Sequence, residues 1–149
     1  MRVYYEETDA GGVVYHSNYL NFMERARTEW LRQLGFGQQQ LYQQRGLLFA
    51  VTRMEVQFLA PARLDDALLV SVLLHAHKQA SLVVQQTIQR VQEQRHLVQA
   101  SVRIAVLNQQ FKPTRLPNDL LLALGESERA GMGRGDTPPE ITQTGQYSG

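Results

Sequence analysis

Cysteine is absent from the 149 residues, and with it go disulfides, thiolate nucleophiles and cysteine-ligated metal centres. A surplus of one charge is absent too. Fifteen Lys and Arg oppose fourteen Asp and Glu, and the basic residues are scattered rather than gathered into the stripe that a phosphate backbone requires. Nucleic acid is therefore not an expected partner. No apolar run approaches the length needed to span a bilayer, and the opening Met1-Arg2-Val3-Tyr4-Tyr5-Glu6-Glu7 lacks the apolar centre of a signal peptide. The expectation is a soluble, cytoplasmic chain with no membrane span.

A chain of this length makes one domain with a real core but not two, so an elaborate site has to be shared between subunits. The densest chemistry lies between Tyr5 and Tyr19, where Asp9, the pair Gly11-Gly12 and His16 stand directly before a helical pattern. Adjacent glycines let the backbone take positive φ and approach a ligand closely, while the start of a helix offers unpaired N–H groups. A polarised carbonyl oxygen fits such a turn, with Asp9 beside it.

From Asn18 to Leu34 the residues Tyr19, Phe22, Met23, Ala26, Trp30 and Leu34 recur at intervals of three and four, opposite Arg25, Thr28, Glu29 and Arg32. This predicts a long helix with one buried stripe, Ser17 or Asn18 as its N-cap and Gly35 at its end. A shorter helix is expected from Gln38, stopped at Gly46. Residues 2–6 alternate loosely as a short first strand. Alternation over 50–58, 82–91 and 97–107, and a run apolar on both faces over 68–76, predict four more, with turns at Lys78-Gln79 and at 92–95. The class is α+β, an antiparallel sheet with a helix on its apolar face. A short helix is expected over 116–124. From Gly131 onward Gly, Pro, Thr, Ser and Gln leave almost nothing to bury, which reads as a disordered tail.

The segment from Val3 through His16, then Asn18-Tyr19, Phe22 through Glu29, and the block Phe58-Leu59-Ala60-Pro61-Ala62-Arg63-Leu64-Asp65-Asp66 resemble the hotdog-fold thioesterases of the 4-hydroxybenzoyl-CoA thioesterase group, and specifically their tol-pal-associated branch. The resemblance spans about residues 2–115. It implies an antiparallel five-stranded sheet wrapped around one long helix, with a hotdog domain at 1–125 and a flexible tail at 126–149. It also implies pairing of two protomers into a continuous sheet, a homodimer or homotetramer, and active sites at the dimer interface. The implied activity is hydrolysis of acyl-CoA, of short-chain or aromatic acyl groups, with no cofactor beyond the CoA of the substrate.

Carried onto this chain, the resemblance implies Asp9 as nucleophile or general base, assisted by His16 and Tyr5, and an oxyanion-binding backbone N–H at about His16. Gly12, Val13 and Tyr15 would line the substrate. Arg63, Lys112 and Arg115 are candidates for the CoA phosphates because they flank strands or loops. Each residue also has a plainer reading: Asp9 as a turn former, His16 as a helix-entry residue, Tyr5 as core. Glu24, at the edge of the apolar stripe, is an alternative base, and Arg25 and Arg27 read as parts of a surface charge network. His75 and His77 share a strand face but lack a third ligand, and no metal is expected. Arg134-Gly135-Asp136 and the glycines at 131, 133 and 135 read as chance in a flexible tail, since no strand precedes them to make a phosphate loop. Met54, Phe58 and Trp30 are expected in the core, or in part along an acyl pocket. Two other functions compete with hydrolysis. One is a non-catalytic module binding acyl thioesters or acyl carrier protein in envelope assembly. The other is a dehydratase, which needs a catalytic histidine with an acid from the partner subunit.

Overall fold

A computed structural model describes residues 1–4 and 16–129. The expected site residues Tyr5, Asp9, Gly12, Val13 and Tyr15, the side chain of His16, and the expected tail from residue 131 lie outside the described residues.

The chain runs α1 (His16–Gln33), α2 (Gln38–Arg45), β1 (Leu48–Phe58), β2 (Leu68–His77), β3 (Ser81–Arg90), β4 (Arg95–Leu107) and α3 (Asn118–Arg129). The four strands form one antiparallel sheet in the order β1-β4-β3-β2. Two tight hairpins join β2, β3 and β4 at the turns the sequence marks. Residues 59–67 instead carry the chain from the end of β1 across the sheet to the start of β2 at the opposite edge, a width of about 14 Å at the usual strand spacing. Where the sequence announces only a break in alternation, the structure has this crossover.

Register explains the burial. One face carries the row Val56–Ala100–Gln86–Val72 and, next to it, Phe58–Val98–Ile88–Val70. Against this face lies the stripe of α1, in which Tyr19, Phe22, Met23, Ala26, Trp30 and Leu31 are buried. Val84, Ile88, Val98 and Val102 are fully enclosed, each contributing roughly 1.5–3 kcal/mol through burial. The other sheet face is polar, presenting Glu55 and Gln57 of β1 beside Gln99 of β4.

Gly35 ends α1 as expected, with φ 94° and a bond from the Phe36 N–H to the Leu31 carbonyl at 2.8 Å. The start differs. Because His16 is already helical, Ser17 and Asn18 lie inside the first turn and cannot be the N-cap, which must precede the first helical residue. α2 closes on Gly46 at φ 66°, as the sequence indicates. α3 begins later than expected because Leu116 precedes Pro117, a position that disfavours helical ψ, and it runs beyond residue 125.

The expected fifth strand over 2–6 is, among the described residues, an isolated bridge of Arg2 with Ala67. Around it the Val3 N–H bonds the Asp66 carbonyl at 3.0 Å, and the Asp65 N–H bonds the Val3 carbonyl at 2.9 Å. Residues 1–3 thus run antiparallel to the end of the crossover. β2 is apolar on both faces only in its first half, since His75, Ala76 and His77 are exposed beyond an irregularity in the β2–β3 register.

Candidate active site

The end of the sheet where β1 stops and β2 starts is also the end where α1 begins. Tyr19, in the first turns of the helix, is buried and tilts over Phe58 with ring centroids 5.7 Å apart. Its phenolic oxygen accepts the Ala62 N–H at 2.7 Å, fastening the crossover to the start of the helix. Burial raises the Tyr19 pKa above its ordinary value, with the Ala62 bond opposing, so the hydroxyl is neutral at physiological pH. Since His16 is the first residue of α1, its N–H is among those without an acceptor in the helix.

The crossover is shaped by its own polar groups. Asp66 Oδ2 accepts the Arg63 N–H at 2.7 Å, the Asp66 N–H bonds the Arg63 carbonyl at 3.0 Å, and Asp65 between them takes a left-handed φ of 68°. Arg90, the last residue of β3, reaches over this turn. Its Nε donates to Asp66 Oδ2 at 3.2 Å, one terminal nitrogen to the Pro61 carbonyl at 2.9 Å, and the other to Glu93 at 3.0 Å. The Arg90 side chain is 14% exposed and that of Asp66 20%, so this ion pair is largely removed from water.

Arg63 projects from this turn into solvent, with no ion pair to another described residue. Lys112 and Arg115 are exposed too, but they follow β4, whose last residue Leu107 pairs with Leu48 at the start of β1. From Val98 to Leu107 the strand covers about 30 Å. One protomer therefore does not bring Arg63 together with Lys112 and Arg115.

Arg27 corrects an expectation. It is not part of a surface network: it is only 8% exposed and donates to Gln86 Oε1 at 2.9 Å, while Gln86 Nε2 donates to the Met23 carbonyl at 3.0 Å. Burial lowers its pKa and Glu24 partly offsets this. Glu24 itself is exposed on α1. His75 and His77 are exposed, and among the described residues no three His, Asp or Glu side chains gather as a metal site.

Sequence reasoning missed Tyr19 and Arg90 as parts of this end of the molecule. A signal was present. Positions 82, 84, 86, 88 and 90 share one phase of β3, so Gln86 and Arg90 fall on its buried face, where a polar side chain needs a partner.

A helix laid across one face of an antiparallel sheet, with its first turn pinned beside a crossover, is the frame of a hotdog domain. Residues 3–124 match the thioesterase-like superfamily, and the chain belongs to that family of thioester hydrolases. In particular, it is 41% identical over 124 residues to the acyl-CoA thioesterase YbgC of Haemophilus influenzae, covering 83% of this chain and 90% of that one. It is 44% identical over 122 residues to the acyl-CoA thioester hydrolase YbgC of Escherichia coli O6:H1, covering 81% and 90%. Among solved structures, a probable thioesterase from Bartonella henselae superposes with a TM-score of 0.72 at 39% identity, over 78% of this chain and 95% of that one. No helix among the described residues is long and apolar enough to cross a membrane.

Proposed function

We propose that this chain hydrolyses acyl-CoA thioesters to the free acid and CoA, with Asp9 as nucleophile or general base. The observation that carries the reading is its likeness, over most of both chains, to relatives named for acyl-CoA thioester hydrolysis. As general base, Asp9 takes a proton from water as the oxygen attacks the thioester carbonyl carbon. The His16 N–H receives the oxyanion, and collapse of the tetrahedral species expels CoA as its thiolate. As nucleophile, Asp9 attacks the carbonyl carbon and displaces CoA thiolate to form a mixed anhydride, which water then opens to the free acid and the Asp9 carboxylate. His16 and Tyr5 orient the carbonyl and the carboxylate, and Gly12, Val13 and Tyr15 border the acyl group, short-chain or aromatic. No cofactor takes part. An acyl carrier protein can present the same thioester. The cysteine-free composition suits a reducing cytoplasm, and the tol-pal association follows from the motif over residues 3–16.

The site is completed by a second copy. Among the described residues β1 is a sheet edge of 11 residues, paired with β4 on one side and exposing Val51, and such an edge invites another strand. Antiparallel pairing of β1 with its counterpart sets the Leu48 end of one protomer beside the Phe58 end of the other. It thereby carries Lys112 and Arg115 of the second copy toward Arg63, a basic cluster suited to CoA phosphates. A fifth strand over 2–6 belongs to this reading, supported by the bridge of Arg2 to Ala67.

The test is CoA release from short-chain, long-chain and aromatic acyl-CoAs, followed with a thiol reagent to which this chain contributes no background. Asp9→Asn should lower turnover by at least about a hundredfold while the protein stays folded. Equal turnover by both proteins would exclude Asp9 and turn attention to Glu24. No turnover of any substrate by the native protein would favour a non-catalytic acyl-thioester or acyl-carrier-protein binding module.

A further inference from the structure

The oxyanion donor proposed above is a backbone N–H, which no side chain can re-aim; its direction is that of the helix carrying it. What holds the start of α1 therefore matters as much as what sits beside it. A polar bond that ties the first turns of α1 to another element runs from the Ala62 N–H to the Tyr19 hydroxyl oxygen. Ala62 lies on the crossover, between the two points that Arg90 grips. The same crossover holds residues 1–3 through the bonds between Val3 and residues 65 and 66. Both chain segments flanking residues 5–15 are thus fastened to it.

We infer that Arg90 is a positioning residue for thioester hydrolysis: by clamping Pro61 and Asp66 together it fixes the crossover, which through Tyr19 fixes where the first turn of α1 and its N–H donors point. The geometry suits arginine. Its planar fork reaches a carboxylate and a carbonyl five residues apart in the chain at once, and an ammonium on a single stem does not reproduce that arrangement. The two anchors approach from opposite elements, β3 and α1, so the crossover is gripped from both sides. Leu59 and Ala60 add a third hold, both N–H groups pointing to the Leu97 carbonyl at 2.8 and 3.2 Å. Displacement of a reacting group by about 1 Å costs on the order of a hundredfold in rate. A clamp of this kind therefore acts on turnover without touching substrate. The inference rests on the hydrolase reading for its kinetic consequence but not for its structural one.

Full-length native protein, Arg90→Met, Arg90→Lys and Tyr19→Phe are compared in two ways. One is kcat and KM on the acyl-CoA that the native protein hydrolyses best. The other is hydrogen exchange of peptides covering the first half of α1 and, as reference, β4. Arg45→Met, which breaks an exposed ion pair at the other end of the sheet, is the control. The expected result is a fall of about 10- to 100-fold in kcat for Arg90→Met, with KM changed less than about threefold. Arg90→Lys should be intermediate, Tyr19→Phe should follow the same pattern, and Arg45→Met should match native. Exchange in the first half of α1 should rise about tenfold or more in Arg90→Met and Tyr19→Phe, and clearly more than in β4. Unchanged kcat, or exchange that rises equally in β4, would overturn the inference, the second because it marks general destabilisation. If Arg90→Met does not fold, Arg90→Lys and Tyr19→Phe decide by the same criteria. If the native protein hydrolyses no acyl-CoA, the hydrolase reading falls, and the exchange of α1 against β4 still decides whether the clamp positions the helix.

Discussion

The two ends of the sheet are built differently. At the end where α1 starts, the Ala62–Tyr19 and Arg90–Asp66 bonds are made largely out of water, and each joins two elements. At the far end, Arg45 of α2 pairs with Asp119 of α3 in the open, with the two side chains 41% and 53% exposed. There Asn108 closes a loop on itself by accepting the N–H groups of Gln110 and Lys112, leaving Phe111 at its tip with φ 61° and 72% exposed. A screened pair of long side chains contributes little, whereas a buried polar group left without its partner costs about 1–3 kcal/mol. The first end is therefore specified by its polar contacts and the second only decorated by them.

The contrast predicts a ranking. Ile88→Ala, at the covered end, removes a fully enclosed side chain and should cost about 2–5 kcal/mol by denaturant titration. Arg27→Met should cost about 2 kcal/mol, because it strands the Gln86 amide oxygen beneath α1. A loss no larger than that of a surface substitution would show that the buried pair is dispensable. Tyr19→Phe should cost about 1 kcal/mol at neutral pH and should also change the alkaline limb. With its pKa raised, the folded state holds the Tyr19 proton more tightly than the unfolded chain does. That contribution is complete below pH about 10 and is lost as pH rises from there through the folded value. The variant should lack this part of the decline in alkaline melting curves.

Asp119→Asn is expected to lie within the error of a thermal melt at neutral pH. The hydrogen bond from Arg45 lowers the Asp119 pKa, so its small contribution is present above the ordinary carboxylate range and is lost as pH falls through the lowered value. Comparing native and variant melting between acid and neutral pH checks that sign. Smallest of all, Phe111→Gly should change stability by no more than about 0.5 kcal/mol, since glycine accepts the left-handed backbone there but adds unfolded-chain entropy. A large loss in either variant would place the far end among the structurally demanding regions and remove the contrast.

The same contrast explains what could be read in advance. The stripe of α1, the alternation of the strands and the glycines at 35 and 46 are local patterns, and each appears in the structure where the sequence puts it within a few residues. The order of the strands is not local. Nothing in residues 59–67 states that they cross a sheet, because their partners Val3, Tyr19, Arg90 and Leu97 are distant in sequence. Arg27 departs from expectation because residue type alone points a charge to the surface, whereas its angular position beside Met23 and Trp30 puts it underneath the helix. The catalytic assignments to Tyr5, Asp9 and His16 came from a motif, and motif chemistry carries no distances.

The strand order also bears on how the chain reaches this state. β2, β3 and β4 are successive hairpins, whose closure is local and fast. β1 must instead pair Leu48 with Leu107 and Phe58 with Val98, closing far longer loops. The three-stranded meander is thus the expected folding nucleus, with substitutions in its hairpins slowing refolding and those in β1 chiefly hastening unfolding. The crossover is continuous with β1 at one end and is held to the meander by Arg90 and Leu97, so the region around the helix start is expected to become native together with β1, after the meander has formed.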